Sequence, residues 1–251
     1  MGRYNLQVKL YKVVDKLLKC GNIYFEVKKL KKSVYSLVLI DELVDAIDRE
    51  AYELNTNRSN LINQILAEHF SVVTPEQKLK EIFNIVENRI REAQELKVKS
   101  QLSDSTMAVQ SALRYKYNPT IRYGIELYKN ANDVVGELKV SFRTQNKNLI
   151  NDITNFFIIW SNMEKKYIEK YFPDKQILLQ IKDGKLIRKF IVPPQEKDRT
   201  NEQIGKAITR YIESLDKIIK IYFKNIDDFE TATRCMEQEY INYLNNEPII
   251  I

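Results

Sequence analysis

Residues 33–70 read SVYSLVLIDELVDAIDREAYELNTNRSNLINQILAEHF, and this stretch constrains the chain more than any other. The spacing predicts a short strand, Val34 to Leu39, running directly into a helix with Leu43, Ile47, Ala51 and Leu54 on one face. Asn55 follows, a residue type that tolerates the left-handed conformation that ends helices. Asn57 caps a second predicted helix whose apolar positions are Leu61, Ile62, Ile65, Leu66 and Phe70. A strand and two short helices cannot bury three apolar faces by themselves. Pairing the strand with its copy in a second chain supplies the missing surface, so the segment implies a homodimer or higher assembly.

Four features follow one another without a gap: a strand ending at Leu39, Asp41-Glu42-Leu43 opening a helix, a turn at Asn55, and Arg58-Ser59-Asn60-Leu61-Ile62 opening the next helix. In these the segment resembles the ribbon-helix-helix superfamily, the Arc/MetJ/CopG type of DNA-binding protein. The resemblance covers about 40 of the 251 residues. It implies an intermolecular two-stranded ribbon lying in the major groove of double-stranded DNA. Val34, Ser36 and Val38 would then face the bases. Tyr35, Leu37, Leu39, Leu43, Ile47, Leu61, Ile62 and Ile65 would build the dimer core, and the start of the second helix would hold a phosphate. Elementary chemistry supports the last point, since Asn57, Arg58 and Ser59 sit where free N–H groups and the helix dipole favour an anion. Two positions depart from the pattern. Two of the three outward ribbon residues are valines, which touch a thymine methyl but cannot make bidentate hydrogen bonds. Ile40 stands where the family commonly opens its first helix with Pro, Ser or Asp.

Charge adds a second constraint. Residues 1–32 hold nine bases and two acids, a net +7, although the whole chain carries only +6. Residues 33–72 carry two bases against seven acids, a net −5. A module of that charge binds DNA poorly unaided, so Lys28, Lys29, Lys31 and Lys32, just before the ribbon, are expected to supply backbone contacts alongside Asn57, Arg58 and Ser59.

Beyond the module the chain is expected to be α+β, with antiparallel hairpins and long helices. Thr74-Pro75-Glu76-Gln77 starts an amphipathic connector helix carrying Leu79, Ile82, Val86, Ile90, Ala93 and Leu96. Residues 97–111, rich in Ser and Thr, lose that rhythm and are expected to form a linker or loop. Strands are predicted over Ile121–Tyr128 and Leu138–Phe142, and a long helix over Leu149–Tyr171. Asp183-Gly184 marks a hairpin within 177–192. Thr200 with Gln203 caps another helix, and Asn225–Asp228 separate it from a last one, about Phe229–Leu244. The expected divisions are an arm (1–32), a ribbon-helix-helix module (33–72), a connector and linker (73–111) and an α+β region (112–251) that senses a ligand or extends the oligomer.

Several chemistries find no support. Cys20 and Cys235 stand outside any Cys or Cys/His cluster, which argues against disulfides and structural zinc and fits a reducing compartment. His69 is the one histidine, and the six glycines are scattered, so no metal, cofactor or enzymatic activity is expected. RYKYNPTIRY (114–123) interleaves bases with tyrosines, a pattern that an exposed strand face explains. The longest apolar run, Ile153 to Met163, is too short and too polar to cross a membrane, and the N-terminus does not read as a secretory signal. The expected location is the cytoplasm, at the nucleoid. The expected role is transcriptional regulation, with a DNA- or plasmid-segregation adaptor that binds a centromere-like site as the alternative.

Overall fold

The computed structural model describes residues 36–93, 95–116, 118–129, 133–172, 177–193, 199–246 and 251. Lys28, Lys29, Lys31, Lys32, Val34 and Tyr35 lie outside the described residues. Three helices come first: α1 (Asp41–Glu53), α2 (Arg58–His69) and α3 (Pro75–Glu92). Four strands follow, β1 (Leu96–Ser103), β2 (Thr106–Ala112), β3 (Thr120–Leu127) and β4 (Val134–Phe142). Next come α4 (Lys147–Tyr167), a short 3-10 turn (Glu169–Tyr171), β5 (Leu179–Lys182), β6 (Lys185–Ile191), α5 (Asn201–Lys224) and α6 (Phe229–Asn245).

The chain is α+β with one antiparallel sheet of six strands, ordered β1-β2-β3-β4-β6-β5. After β4 the chain crosses through α4, enters the far edge as β5, and turns back as β6 against β4. Asp183 and Gly184 make that turn with φ of 52° and 67°, a pair of left-handed residues that suits the twist of a two-residue hairpin. Asp183-Gly184 was the residue pair expected there.

One face of the sheet is buried. Val98, Val109, Tyr123, Val140, Leu186 and Ile181 form a continuous row of cross-strand neighbours over all six strands. Helices α3, α4, α5 and α6 contribute Val86, Phe156, Trp160, Ile212, Leu215 and Met236 to the same core. Trp160 contacts the rings of Phe156, Tyr211 and Tyr240 at centroid distances of 6.3, 5.9 and 5.1 Å. Both long-range helix starts are capping boxes, Thr74 with Gln77 and Thr200 with Gln203. A Cβ on Gly205 of α5 would lie 2.7 Å from Ile85 Cγ2, so only glycine lets α5 approach α3 this closely.

Two charged networks cross this core. Arg188 of β6 and Glu164 of α4 are fully buried and meet at 3.3 Å, with the guanidinium held between the rings of Phe172 and Tyr211. Burial pushes the Glu164 carboxyl above its ordinary range, while the Arg188 charge opposes that shift. Tyr123 donates to Asp216 Oδ1 at 2.8 Å, and Lys220 reaches both Asp216 and Glu95 at 2.6 Å, tying β3 to α5.

The structure corrects several expectations. Residues 97–111 are not a linker: they form most of β1 and β2, and Met107 and Val109 sit in the same core as α3. Two register shifts in β1, between Val98 and Ser100 and between Gln101 and Ser103, break the alternation there. Leu96 matched the helical spacing of α3 but opens β1, because Ala93 caps the helix with an extended ψ of 116°. The long helix ends at Tyr167 rather than Tyr171 and tightens into the 3-10 turn. Ser36 to Leu39 form no strand within the single chain, which does not bear on the expected pairing of Val34–Leu39 with a second copy.

Candidate nucleic-acid interface

Helices α1 and α2 form a pair joined by a short turn. Asp41 and Glu42 open α1, where negative charge suits the helix dipole, although Ile40 provides no side-chain cap. The helix ends at Leu54, and Asn55 takes the left-handed conformation, φ 51°. Asn57 caps α2 by accepting from Asn60 N–H at 2.9 Å. That bond occupies one of the free N–H groups of the first turn and leaves those of Arg58 and Ser59 without an intrahelical partner.

Between the helices lies a small core. Ile47, Ala51 and Leu61 are buried, and Leu39 and Ile62 pack against them half-buried. The other expected dimer-core residues are open in one chain: Leu37 is 60% exposed, Leu43 45% and Ile65 44%. Of the expected base-facing residues, Ser36 is exposed and Val38 is fully so, at 101%. Residues 37–73 hold eleven of the thirteen large exposed hydrophobics among the described residues, the other two being Tyr171 and Phe229. Patches of this size usually mark an interaction surface.

Arg58 is not a free cation. Its Nε donates to Asp48 Oδ1 at 2.7 Å, and Nη2 contacts the other carboxylate oxygen, a two-point pair across the α1–α2 turn. The hydrogen bond from Arg58 holds the Asp48 carboxyl below its ordinary value, and Asp48 raises Arg58 in return. Both side chains are about half exposed, so solvent screens the pair and an incoming phosphate can compete for the guanidinium. The sequence shows opposite charges at 48 and 58 but not that the two helices bring them together. Sequence reasoning therefore missed Asp48, the partner of Arg58 at the start of α2.

His69 lies at the end of α2 with its ring edge-on to Phe70 at 4.9 Å. No group of three His, Cys, Asp or Glu side chains among the described residues is arranged to hold a metal ion. Among the described residues no helix is long and apolar enough to cross a membrane. No protein-family profile matches the chain, and no curated protein or solved structure is detectably similar to it.

Proposed function

We propose that the chain is a homodimeric DNA-binding protein, acting as a transcriptional regulator at the nucleoid, with no catalytic role. Two copies pair through the segment before α1, making an intermolecular ribbon that enters the major groove. Val38 and Ser36 face the bases, and the start of α2 docks on a phosphate. The observation that carries this reading is the concentration of exposed apolar side chains in residues 37–73, next to a helix pair with only three buried hydrophobics of its own. Leu37, Leu43 and Ile65 need a cover, and a second copy of the same surface is self-complementary. The anion-seeking start of α2, with Asn57 as cap and Arg58 at the first position, supports the DNA half of the reading.

Sedimentation of the full chain tests the assembly, and operator footprinting tests the DNA. The wild type is expected to be a dimer at low micromolar concentration. Leu37→Lys places a charge in the covered surface and is expected to yield monomer with intact body and lost specific footprint. A wild-type monomer with an ordinary footprint overturns the ribbon.

A further inference from the structure

The buried row of the sheet has a counterpart on its other face. No described helix contributes side chains there, and the residues at alternate strand positions point away from the core. Cross-strand rows on this face run Lys97–Gln110–Arg122–Ser141 and Ala108–Gly124–Lys139–Ile187–Gln180. Lys182 and Lys185 face each other beside the Asp183-Gly184 turn. Lys97, Arg122, Lys139, Lys182 and Lys185 are all exposed, and none forms an ion pair among the described residues. Glu126 is exposed on the same face, whereas Glu137 is paired with Lys189 and accepts a hydrogen bond from Tyr128.

We propose that this helix-free face is a second DNA-binding surface, one that grips the phosphate backbone of the duplex without reading its sequence. The proposal rests on the DNA-binding reading above and deepens it. Three observations carry it. First, the charge is one-sided: five exposed bases without an ion pair stand against two such acids, Glu126 and the Asp183 of the β5–β6 turn. Second, Lys182 and Lys185 are directly opposite, an arrangement that costs stability in an antiparallel pair unless an anion lies between the two. Third, the face offers no free aromatic ring. Tyr128 is the aromatic residue there among the described residues, and the Lys189 ammonium sits 5.0 Å from its centroid. Single strands are gripped by stacking bases on open rings, so a flat, basic, ring-poor face suits the duplex backbone. Six strands span roughly 25 Å, a length over which duplex DNA presents on the order of 15 phosphate charges. The face also answers the deficit of the helix pair, whose described acids outnumber its bases seven to two. The bases come from different strands, Lys97 from β1, Arg122 from β3, Lys139 from β4, Lys182 from β5 and Lys185 from β6, a grouping visible only once the strands are known.

The test uses the full chain carrying Lys97→Gln, Arg122→Gln, Lys139→Gln and Lys182→Gln together, beside wild type and Leu37→Lys. Binding to random-sequence duplex is measured from about 50 to 200 mM salt, together with sedimentation of each protein. The quadruple variant is expected to lose at least tenfold in affinity at the low end. Its slope of log K against log salt should flatten by roughly 0.9 for each phosphate contact removed. An unchanged slope and affinity in the quadruple variant overturns the proposal, whatever Leu37→Lys does. If Leu37→Lys alone abolishes binding, the ribbon reading stands and the sheet proposal falls. If only the quadruple variant loses binding, the sheet proposal stands and the ribbon reading falls. A change of sedimentation in the quadruple variant with an unchanged DNA slope means the face binds protein, and that also overturns the proposal.

Discussion

The α1–α2 pair and the sheet-centred body solve the burial problem in opposite ways. In the body, helices α3 to α6 cover one sheet face, and Trp160, Phe156 and Tyr240 are almost wholly enclosed. In the pair, Ile47, Ala51 and Leu61 make the whole core, while Leu37, Leu43, Ile65 and Phe70 stand open. Packing therefore separates a region that encloses its own apolar side chains from one that leaves most of them open. The polar interactions follow the same division. The body fully encloses one ion pair, Arg188–Glu164, whereas Arg58–Asp48 in the pair is open to water.

The largest expected effect comes from breaking the enclosed pair. Arg188→Met leaves the Glu164 carboxylate buried without a counter-charge and is expected to cost about 3–5 kcal/mol of body stability. Adding Glu164→Leu should recover most of that loss, as measured by chemical unfolding of single and double variants. If the single change is neutral, the pair is not enclosed in solution and the contrast collapses.

The next effect belongs to the open region. Leu43→Ser with Ile65→Ser removes apolar surface that costs the single chain little, because both side chains are nearly half exposed. In a dimer the lost burial amounts to roughly 2–4 kcal/mol, or about one and a half to three orders of magnitude in dissociation constant. Analytical ultracentrifugation over a dilution series reads this directly, and the melting of the body should not move. A dissociation constant that stays put would mean that no second copy covers these residues.

Helix caps give a smaller and sharper comparison. Thr200→Ala and Asn57→Ala each remove a side chain that accepts from a first-turn N–H, worth about 1 kcal/mol. In the body that loss should lower the melting temperature by roughly 2–4 °C. In the pair it should appear only as faster hydrogen exchange across Arg58–His69. Equal shifts in global melting for both variants would show that the two regions unfold together.

The smallest effect is a pH dependence on the outer sheet face. Burial alone would raise the Glu137 carboxyl, but hydrogen bonds from Lys189 and Tyr128 outweigh it and leave the group below its ordinary value. A depressed carboxylate contributes stability that is present above its unfolded value, near pH 4.3, and is lost as the pH falls through its folded value. Glu137→Gln should therefore narrow the stability gap between pH 7 and acid by about 1 kcal/mol or less. No narrowing would show that the Lys189 contact is not kept in solution.

Much of the body was legible in the sequence because its punctuation is local. Thr74 with Gln77, Thr200 with Gln203, the Asp183-Gly184 turn and the break at Asn225–Asp228 each act within a few residues, and each appears where expected. The strands at 97–111 were not legible. Their outward positions carry Lys, Gln and Thr, and the register of β1 slips between Val98 and Ser100 and again between Gln101 and Ser103, which breaks the period-two rhythm. In the candidate site, the Asn57 cap and the Asn55 turn could be read from residue type. The grip of Asp48 on Arg58 could not, since it depends on how two helices face each other across a turn. The basic sheet face was illegible for the same reason: its charges come from separate strands that only the topology brings together.

The place of β6 between β4 and β5 also governs how the chain comes to be folded. The β1–β4 meander needs only neighbouring hairpins, so its pairing is local and fast. β6 must wait for α4 and β5, and the bond from Asn201 at the start of α5 to Glu81 on α3 spans 120 residues. During synthesis the apolar side of the meander is therefore made well before the helix that closes it. A nascent chain halted short of residue 201 lacks α5 and α6 and presents that uncovered surface to its surroundings, so interrupted translation is a condition that favours misassembly of this body.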